Sequence, residues 1–261
     1  MSMREDMPVV SQQEIADQIY ELELEGKIAS HVREPGQFVH ILPGGNPATK
    51  TALLRRPISI CKTDPANQRM TLIYRKGGIG TESFSRLKPG MTLDVLGPLG
   101  HGFPLDVVPE GGKALIIGGG VGVPPLYGLS AALHARKVSL THLLGFRSAK
   151  DVFYEEYFAK LGATHVLTED GSCGRQGLVT DLLKNVSFDS AFACGPLPML
   201  SAVQRQITEK PLFLSLEQRM GCGIGACMAC VMHTTNPEDE KGYRRVCCDG
   251  PVFPSGEVEL C

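Results

Sequence analysis

The chain has 261 residues, 43% hydrophobic and 21% charged, with a net charge of −2. That length accommodates one large domain, or two modest ones with a small appendage. The charge balance excludes a basic nucleic-acid binder, no apolar run reaches transmembrane length, and residues 1–10 (MSMREDMPVV) lack a signal-peptide core.

Residues 8–100 read as short strands. Residues 12–24 form the first. Residues 37–42 alternate and are stopped by Pro43-Gly44-Gly45. Strands over 57–60 and 70–74 flank the turn Asp64-Pro65-Ala66-Asn67. A short helix over 81–87 closes at Lys88-Pro89-Gly90, and 92–96 alternates again. Many short strands with one helix predict a closed antiparallel barrel.

Two stretches exceed what a barrel needs. In Arg56-Pro57-Ile58-Ser59, a guanidinium fork and a hydroxyl suit phosphate oxygens. Ile73-Tyr74-Arg75 leads into Lys76-Gly77-Gly78-Ile79-Gly80-Thr81, which opens the helix and presents free backbone N–H groups to an anion. Singly, each reads as a surface arginine or a loose turn. In order and close together, they read as one site.

Residues 99–112, rich in glycine and proline, form a linker. The period then changes. The apolar run 113–117 predicts a strand buried on both faces, followed by Gly118-Gly119-Gly120-Val121-Gly122-Val123-Pro124-Pro125 and a helix over 126–136. Strand, glycine turn and helix make the phosphate-binding start of a βαβ unit, although Val123 replaces the third glycine of the strict fingerprint. A tight turn in any α/β protein is the plainer alternative. Strands over 139–146, 164–168, 190–194 and 212–216 alternate with helices over 152–161, after 177, and over 198–207. The prediction is an open parallel sheet with helices on both faces, binding ligands at its carboxyl ends. Those ends carry the glycine turn, Gly145-Phe146-Arg147-Ser148, Glu169-Asp170-Gly171 and Cys194-Gly195-Pro196. Arg147 alone leaves the choice between NADH and NADPH open.

Nine cysteines, uneven in number and crowded at one end, form no secreted disulfide framework. A reducing cytoplasm, where thiols persist and can hold metal, is the expected setting. Cys222-x4-Cys227-x2-Cys230, with Cys247 or Cys248 further on, has the ligand spacing of a plant-type [2Fe-2S] cluster. Gly221, Gly223 and Gly225 permit tight turns, and Ala226 and Ala229 keep bulk away. A structural zinc site is the alternative, but zinc ligands usually come in C-x2-C pairs and only one such pair exists here. A coincidental cysteine cluster is the third reading. Adjacent cysteine side chains diverge, so Cys247 and Cys248 do not both ligate. Cys61, Cys173 and Cys261 lack motif context and read as ordinary thiols.

Several of these residues carry a resemblance. Arg56-Pro57-Ile58-Ser59 resembles the R-x-[YF]-[ST] flavin motif of the ferredoxin–NADP reductase superfamily, and Gly78-Ile79-Gly80-Thr81 resembles its G-x-x-[ST] helix start. Ile58 departs from the usual aromatic residue beside the flavin ring. Cys194-Gly195-Pro196 resembles the turn that borders the nicotinamide in that superfamily. The run Leu-Glu-x-x-Met-x-Cys-Gly-x-Gly-x-Cys over 216–227, with Arg-Val-Cys-x-Asp-Gly-Pro-Val-Phe over 245–253, is similar to the electron-transfer subunits of class 1B dihydroorotate dehydrogenases, and the similarity spans essentially the whole chain.

That resemblance implies an FAD-binding barrel over 1–104, an NAD-binding α/β domain over 105–215 and a [2Fe-2S] domain over 216–261. It implies Cys222, Cys227, Cys230 and Cys247 as cluster ligands. FAD falls to Arg56, Pro57, Ile58, Ser59, Ile73, Tyr74, Arg75, Gly80 and Thr81. NAD falls to Gly118, Gly119, Gly120, Gly122, Cys194, Gly195 and Pro196. The implied partner is an FMN-containing catalytic subunit that oxidises dihydroorotate to orotate in pyrimidine biosynthesis, two copies of each forming a heterotetramer. Electrons would run from FMN through the cluster and FAD to NAD+. No dehydrogenation site of its own is legible in the chain, which suits an electron carrier. Diaphorase subunits of sulfhydrogenases and of bifurcating ferredoxin:NADP reductases share the plan. A stand-alone reductase feeding an oxygenase is disfavoured, because only about 45 residues follow Leu216. A zinc-stabilised interaction module is the non-enzymatic alternative.

Overall fold

The computed structural model describes residues 2–43 and 54–260. Gly44, Gly45 and Cys261 lie outside the described residues.

Six antiparallel strands close the first unit. They are β1 (Met3–Ala16), β2 (Ile19–Glu25), β3 (Phe38–Ile41), β4 (Arg56–Asp64), β5 (Arg69–Arg75) and β6 (Thr92–Leu99), in the order β1-β2-β5-β4-β3-β6. The predicted single strand over 12–24 is instead a hairpin. It turns at Asp17-Gln18, where Gln18 takes a left-handed backbone. β1 begins earlier than expected and closes the barrel by itself. Its first half pairs with β6 and its second half with β2, with a bulge after Val9. Met7, Leu22, Leu24, Val39, Ile41, Met70, Leu72 and Val95 fill the interior. The short helix α1 (Ile28–His31) follows β2, and α2 (Ile79–Phe84) begins two residues before the predicted start.

Asp94 lies beneath the barrel wall between two guanidinium groups, at 2.7 Å from Arg55 and 2.8 Å from Arg4. Burial pushes its carboxyl up, but hydrogen bonds from Arg4 and Arg55 outweigh this and lower its pKa. A lowered carboxylate contributes stability that is present above the unfolded value, near pH 4, and is lost as pH falls through the folded value. Asp94→Asn is therefore expected to cost roughly 3 kcal/mol at pH 7, because it strands Arg55. In denaturant titrations its deficit against the wild type should shrink below about pH 4.

The second unit is a seven-stranded sheet. Its members are β7 (Lys113–Gly119), β8 (Ser139–Phe146), β9 (Ala163–Thr168), β10 (Arg175–Gln176), β11 (Ser190–Cys194), β12 (Leu212–Ser215) and β15 (Val252–Pro254), in the order β10-β9-β8-β7-β11-β12-β15. All neighbours are parallel except β12 and β15. The chain moves outward from β7 to β10, then returns to place β11 on β7's other side. The order reverses between β7 and β11, and ligands of such sheets bind in that crevice.

The helices depart from the periodicity in the middle of the unit more than at its ends. α3 (Val123–Ala135) begins three residues early, seated on Pro124 and Pro125 in its first turn. The predicted helix over 152–161 is reduced to α4 (Glu155–Ala159), because Tyr154 takes a left-handed conformation just before it. The stretch after Gly177 is a 3-10 turn over Val179–Asn185. α5 (Leu197–Gln206) matches its prediction to within a residue.

The tail folds onto both units. β13 (Val231–His233) and β14 (Tyr243–Arg245) make a small hairpin, while β15 extends the large sheet. Cys230, Met232, Val246, Cys247 and Phe253 share one apolar core with Phe38 and Leu99 of the barrel and Leu214 of the sheet.

Candidate functional site

The crevice between β7 and β11 opens into a cavity of about 560 Å³. Gly119, Gly120 and Gly122 line it after β7, and Gly195 and Pro196 after β11. Arg147, Asp151 and Glu169 line its far end, and Ile19 and Arg75 reach in from the barrel. The two turns meet closely. A Cβ on Gly122 would stand 2.3 Å from the carbonyl oxygen of Cys194. Gly118 and Cys194 are buried behind the wall, paired in the sheet. Burial pushes the Cys194 thiol up. The backbone approach and volume fit a dinucleotide.

Among the cavity residues that the expected site did not include, two stand out. Met199, on the first turn of α5, packs on Gly119 and Gly195. Glu217, just past β12, opens onto the cavity with protein on most sides, and that desolvation raises its carboxyl pKa. Its place before the cysteine loop was the only available signal.

The predicted flavin residues gather partly. Arg56 lies across Gly80, where an added Cβ would stand 2.6 Å from the guanidinium Nε. Thr81 Oγ1 accepts the N–H of Gly77 at 3.0 Å, holding the loop at the helix start. Arg56, Pro57, Ile58 and Ser59 on β4 are all half-buried. β5 splits its residues by strand alternation. Arg75 faces the cavity and Ile73 the neighbouring core, but the Tyr74 ring turns into the barrel. There it donates to Gln12 at 2.9 Å and stacks on Tyr20. Ile58 likewise leans on the barrel core. A guanidinium lying across a helix start fits a diphosphate.

The cysteine loop is built by backbone N–H groups aimed at sulfur. The N–H groups of Ile224, Ala226 and Cys227 donate to Cys222 Sγ at 3.5, 3.3 and 3.4 Å. Cys222 N–H donates to Cys227 Sγ at 3.3 Å, and Gly225 N–H to Cys247 Sγ at 3.2 Å. Burial pushes the Cys222 thiol up, but these donors prevail and lower it to about 7. Cys247 lies beside Cys230, and both are 2% exposed, whereas Cys227 is open to solvent. The thiols thus form two pairs, Cys222 with Cys227 and Cys230 with Cys247. Among the described residues, no three His, Cys, Asp or Glu side chains close on a single ion. Pairs joined by N–H···S bonds fit a binuclear cluster better than zinc.

Cys248 stands on the other side of Gly225, 3.8 Å from a carboxylate oxygen of Asp249. Burial, then Asp249, raises its pKa. Arg245 locks this turn. Its Nη1 donates to Gly225 O at 3.0 Å, while Nε and Nη2 hold Asp249.

The loop rests directly on the barrel. Gly223 has φ +73°, and a Cβ there would stand 2.6 Å from Nδ1 of His40. Strand alternation places Val39 and Ile41 in the barrel core, and Phe38 in the core shared with the tail. His40 is fully buried. Its burial lowers the imidazole pKa and keeps the ring neutral.

A closed flavin-type barrel, a switch-point cavity and a paired-thiol loop define a reductase of the ferredoxin–NADP reductase fold with a built-in iron–sulfur centre. Residues 217–259 match the iron-sulfur cluster binding domain of dihydroorotate dehydrogenase B. The chain is 51% identical over 259 residues to the dihydroorotate dehydrogenase B (NAD(+)) electron transfer subunit of Bacillus caldolyticus, covering 98% of this chain and 99% of that one. It is also 51% identical to the same subunit of Geobacillus sp. (strain WCH70), over all of both chains. The solved NADH-dependent reduced ferredoxin-NADP oxidoreductase, studied for flavin-based electron bifurcation, is 28% identical with a TM-score of 0.85, over 97% of this chain and 90% of that one. The ferredoxin-NADP+ reductase of Plasmodium falciparum shares the fold, with a TM-score of 0.61 at 17% identity over 79% of this chain and 92% of that one. The chain belongs to the family of dihydroorotate dehydrogenase B (NAD(+)) electron transfer subunits.

Proposed function

We propose that the chain carries electrons between the FMN of a dihydroorotate dehydrogenase catalytic subunit and NAD+, for pyrimidine biosynthesis in the cytoplasm, within a heterotetramer of two of each subunit. The observation that carries this reading is the seating of Gly223 on His40, which places the cysteine loop against the barrel strand beside the flavin motif. FAD, when bound, matches the two-electron exchange of a nicotinamide to the one-electron exchange of an iron–sulfur cluster.

The chain's own residues position the carriers. Arg56 and the backbone at Gly80-Thr81 would balance the FAD diphosphate, with Pro57, Ile58 and Ser59 beside them on β4; Ile73, Tyr74 and Arg75 of β5 would meet the flavin through their backbone, Arg75 also lining the dinucleotide cavity. Gly118, Gly119, Gly120 and Gly122, with Cys194, Gly195 and Pro196, admit the dinucleotide backbone. Asp151 and Glu169 at the cavity end disfavour a 2′-phosphate, which supports NAD over NADP. Cys222, Cys227, Cys230 and Cys247 hold the cluster. The domain limits 1–104, 105–215 and 216–261 follow these duties.

Ile224, Met228 and Val231 are 56%, 40% and 39% exposed around the open Cys227 edge, and we assign this apolar rim to the catalytic subunit. The double substitution Ile224→Asp with Met228→Asp is expected to weaken subunit association at least tenfold, about 1.4 kcal/mol, by titration of the purified subunits, leaving FAD content unchanged. The functional test is dihydroorotate-dependent NAD+ reduction. It should require both subunits. Equal rates from the catalytic subunit alone would overturn the reading.

A further inference from the structure

Among the described residues, the deepest unexplained polar group is His40. The side chain is 0% exposed, neither ring nitrogen closes a hydrogen bond of full geometry, and the polar groups within its reach are the backbones of Cys222 and Arg55. Burying an unmatched imidazole costs about 1–3 kcal/mol, so a satisfied core would place an apolar residue there. Leucine or phenylalanine would fill the volume.

Its surroundings say what the ring serves. β3 pairs with β4 so that His40 stands opposite Pro57, in the flavin-motif strand. On its other side a register shift against β6 falls between Phe38 and His40. Irregularities of this kind re-aim a side chain. The His40 carbonyl is held separately, accepting Nη1 of Arg55 at 3.1 Å, and Arg55 is anchored in turn on Asp94. The backbone is thus fixed by an ion-paired network, while the ring is held only loosely, with the backbone of Cys222 as its contact in the cysteine loop. The ring's Nδ1 edge faces Gly223, next to Cys222. A side chain at 223 could not coexist with it.

We propose that His40 is a positioning residue for the iron–sulfur centre, its Nδ1 edge supplying from the barrel side a hydrogen bond to the loaded cysteine loop and thereby tuning the cluster. This rests on the cluster assignment made above. Hydrogen bonds toward cluster sulfur raise its reduction potential, and burial keeps this one unscreened. The residue also belongs to the barrel, so it links the flavin-binding unit to the cluster loop.

Substitution can separate the two ring nitrogens. An asparagine amide nitrogen falls close to Nδ1, and a glutamine amide nitrogen close to Nε2. Leucine keeps bulk without polarity. His40→Asn, His40→Gln and His40→Leu would each be made in the full chain, co-expressed with the catalytic subunit, and read by iron and FAD content, by the electron paramagnetic resonance of the dithionite-reduced cluster, and by its redox titration. The expected result is wild-type FAD content throughout, a near-native cluster signal and potential for His40→Asn, and altered signals with more negative potentials for His40→Gln and His40→Leu. If His40→Leu loses the cluster entirely, the Asn and Gln pair still decides. Three variants matching the wild type, three equally altered, or a shift confined to the flavin potential would each overturn the proposal. A wild-type protein lacking iron would instead overturn the cluster assignment itself.

Discussion

Cys247→Ser is expected to yield a protein that keeps FAD but loses the visible absorption and the reduced-state paramagnetic signal of its iron–sulfur centre. Cys248→Ser should retain both. The difference follows from what surrounds each sulfur. Cys247 is buried beside Cys230 and accepts the N–H of Gly225 at 3.2 Å. Cys248 faces the Asp249 carboxylate, which opposes a second negative charge. Activity should divide the same way. Dihydroorotate-dependent NAD+ reduction would fall at least a hundredfold for Cys247→Ser and by less than threefold for Cys248→Ser, equivalent to about 2.7 and 0.7 kcal/mol of barrier. Reduction of an artificial acceptor by NADH, which needs only the flavin and the nucleotide site, should survive in both. Iron analysis against protein concentration checks the ligand assignment independently of rate. A Cys248→Ser protein without iron, beside an iron-replete Cys247→Ser protein, would reverse it.

Gly122→Ala should remove the nucleotide function. The added methyl group would stand 2.3 Å from the Cys194 carbonyl oxygen and 2.5 Å from the Gly195 nitrogen. Both are backbone atoms, so no side chain can swing aside. The turns after β7 and β11 must separate, which opens the cavity floor where the dinucleotide is assigned. Overpacking of this kind costs about 1–3 kcal/mol, visible as a lower denaturation midpoint. NADH-dependent acceptor reduction should drop by two orders of magnitude or more, chiefly through a higher KM. The cluster signal and FAD content should stay at wild-type levels. Gly242→Ala is the control, because it lies outside the cavity and nothing stands within 4 Å of a Cβ there, although its positive φ imposes a smaller strain. A Gly122→Ala enzyme with unchanged KM would show that the two turns do not shape the binding floor.

The contrast between β7 and the barrel's first hairpin explains how much was legible. A continuous apolar run followed by glycines is a local signal with one reading, so β7, its turn and α3 could be placed from sequence alone. β1 and β2 could not be separated, because Glu14, Asp17, Glu21 and Glu23 blur the alternation and Gln18 makes an uncommon left-handed turn. α4 came out short for a similar reason, since Tyr154 leaves the helical region where periodicity continues. The cysteine loop was readable because ligand spacing is covalent chemistry written along the chain. Tyr74 was misleading in the opposite way. It adjoins a flavin motif, yet strand alternation sends its ring into the barrel. His40 carries no motif and gains its role only from what the fold brings against it, while Glu217 and Met199 belong to motif runs whose spacing says nothing of the cavity they line. Between Cys247 and Cys248, cysteine spacing alone is silent and the resemblance favours Cys247; the burial of that sulfur beside Cys230 is a further reason to test it first.

The strand β15 has a consequence for how the three carriers' sites persist together. It belongs to the cysteine tail, yet it zips antiparallel along β12 through Phe213, Leu214 and Ser215. Were the tail clipped away after Leu216, the nucleotide sheet would be left with a bare, apolar rim, the kind of edge that recruits other chains. The tail is therefore the hem of that sheet as well as the holder of its metal. A shortened chain bearing only the barrel and the sheet should clump rather than survive as a simpler reductase. Loss of the one-electron terminal would then cost the two-electron terminal too.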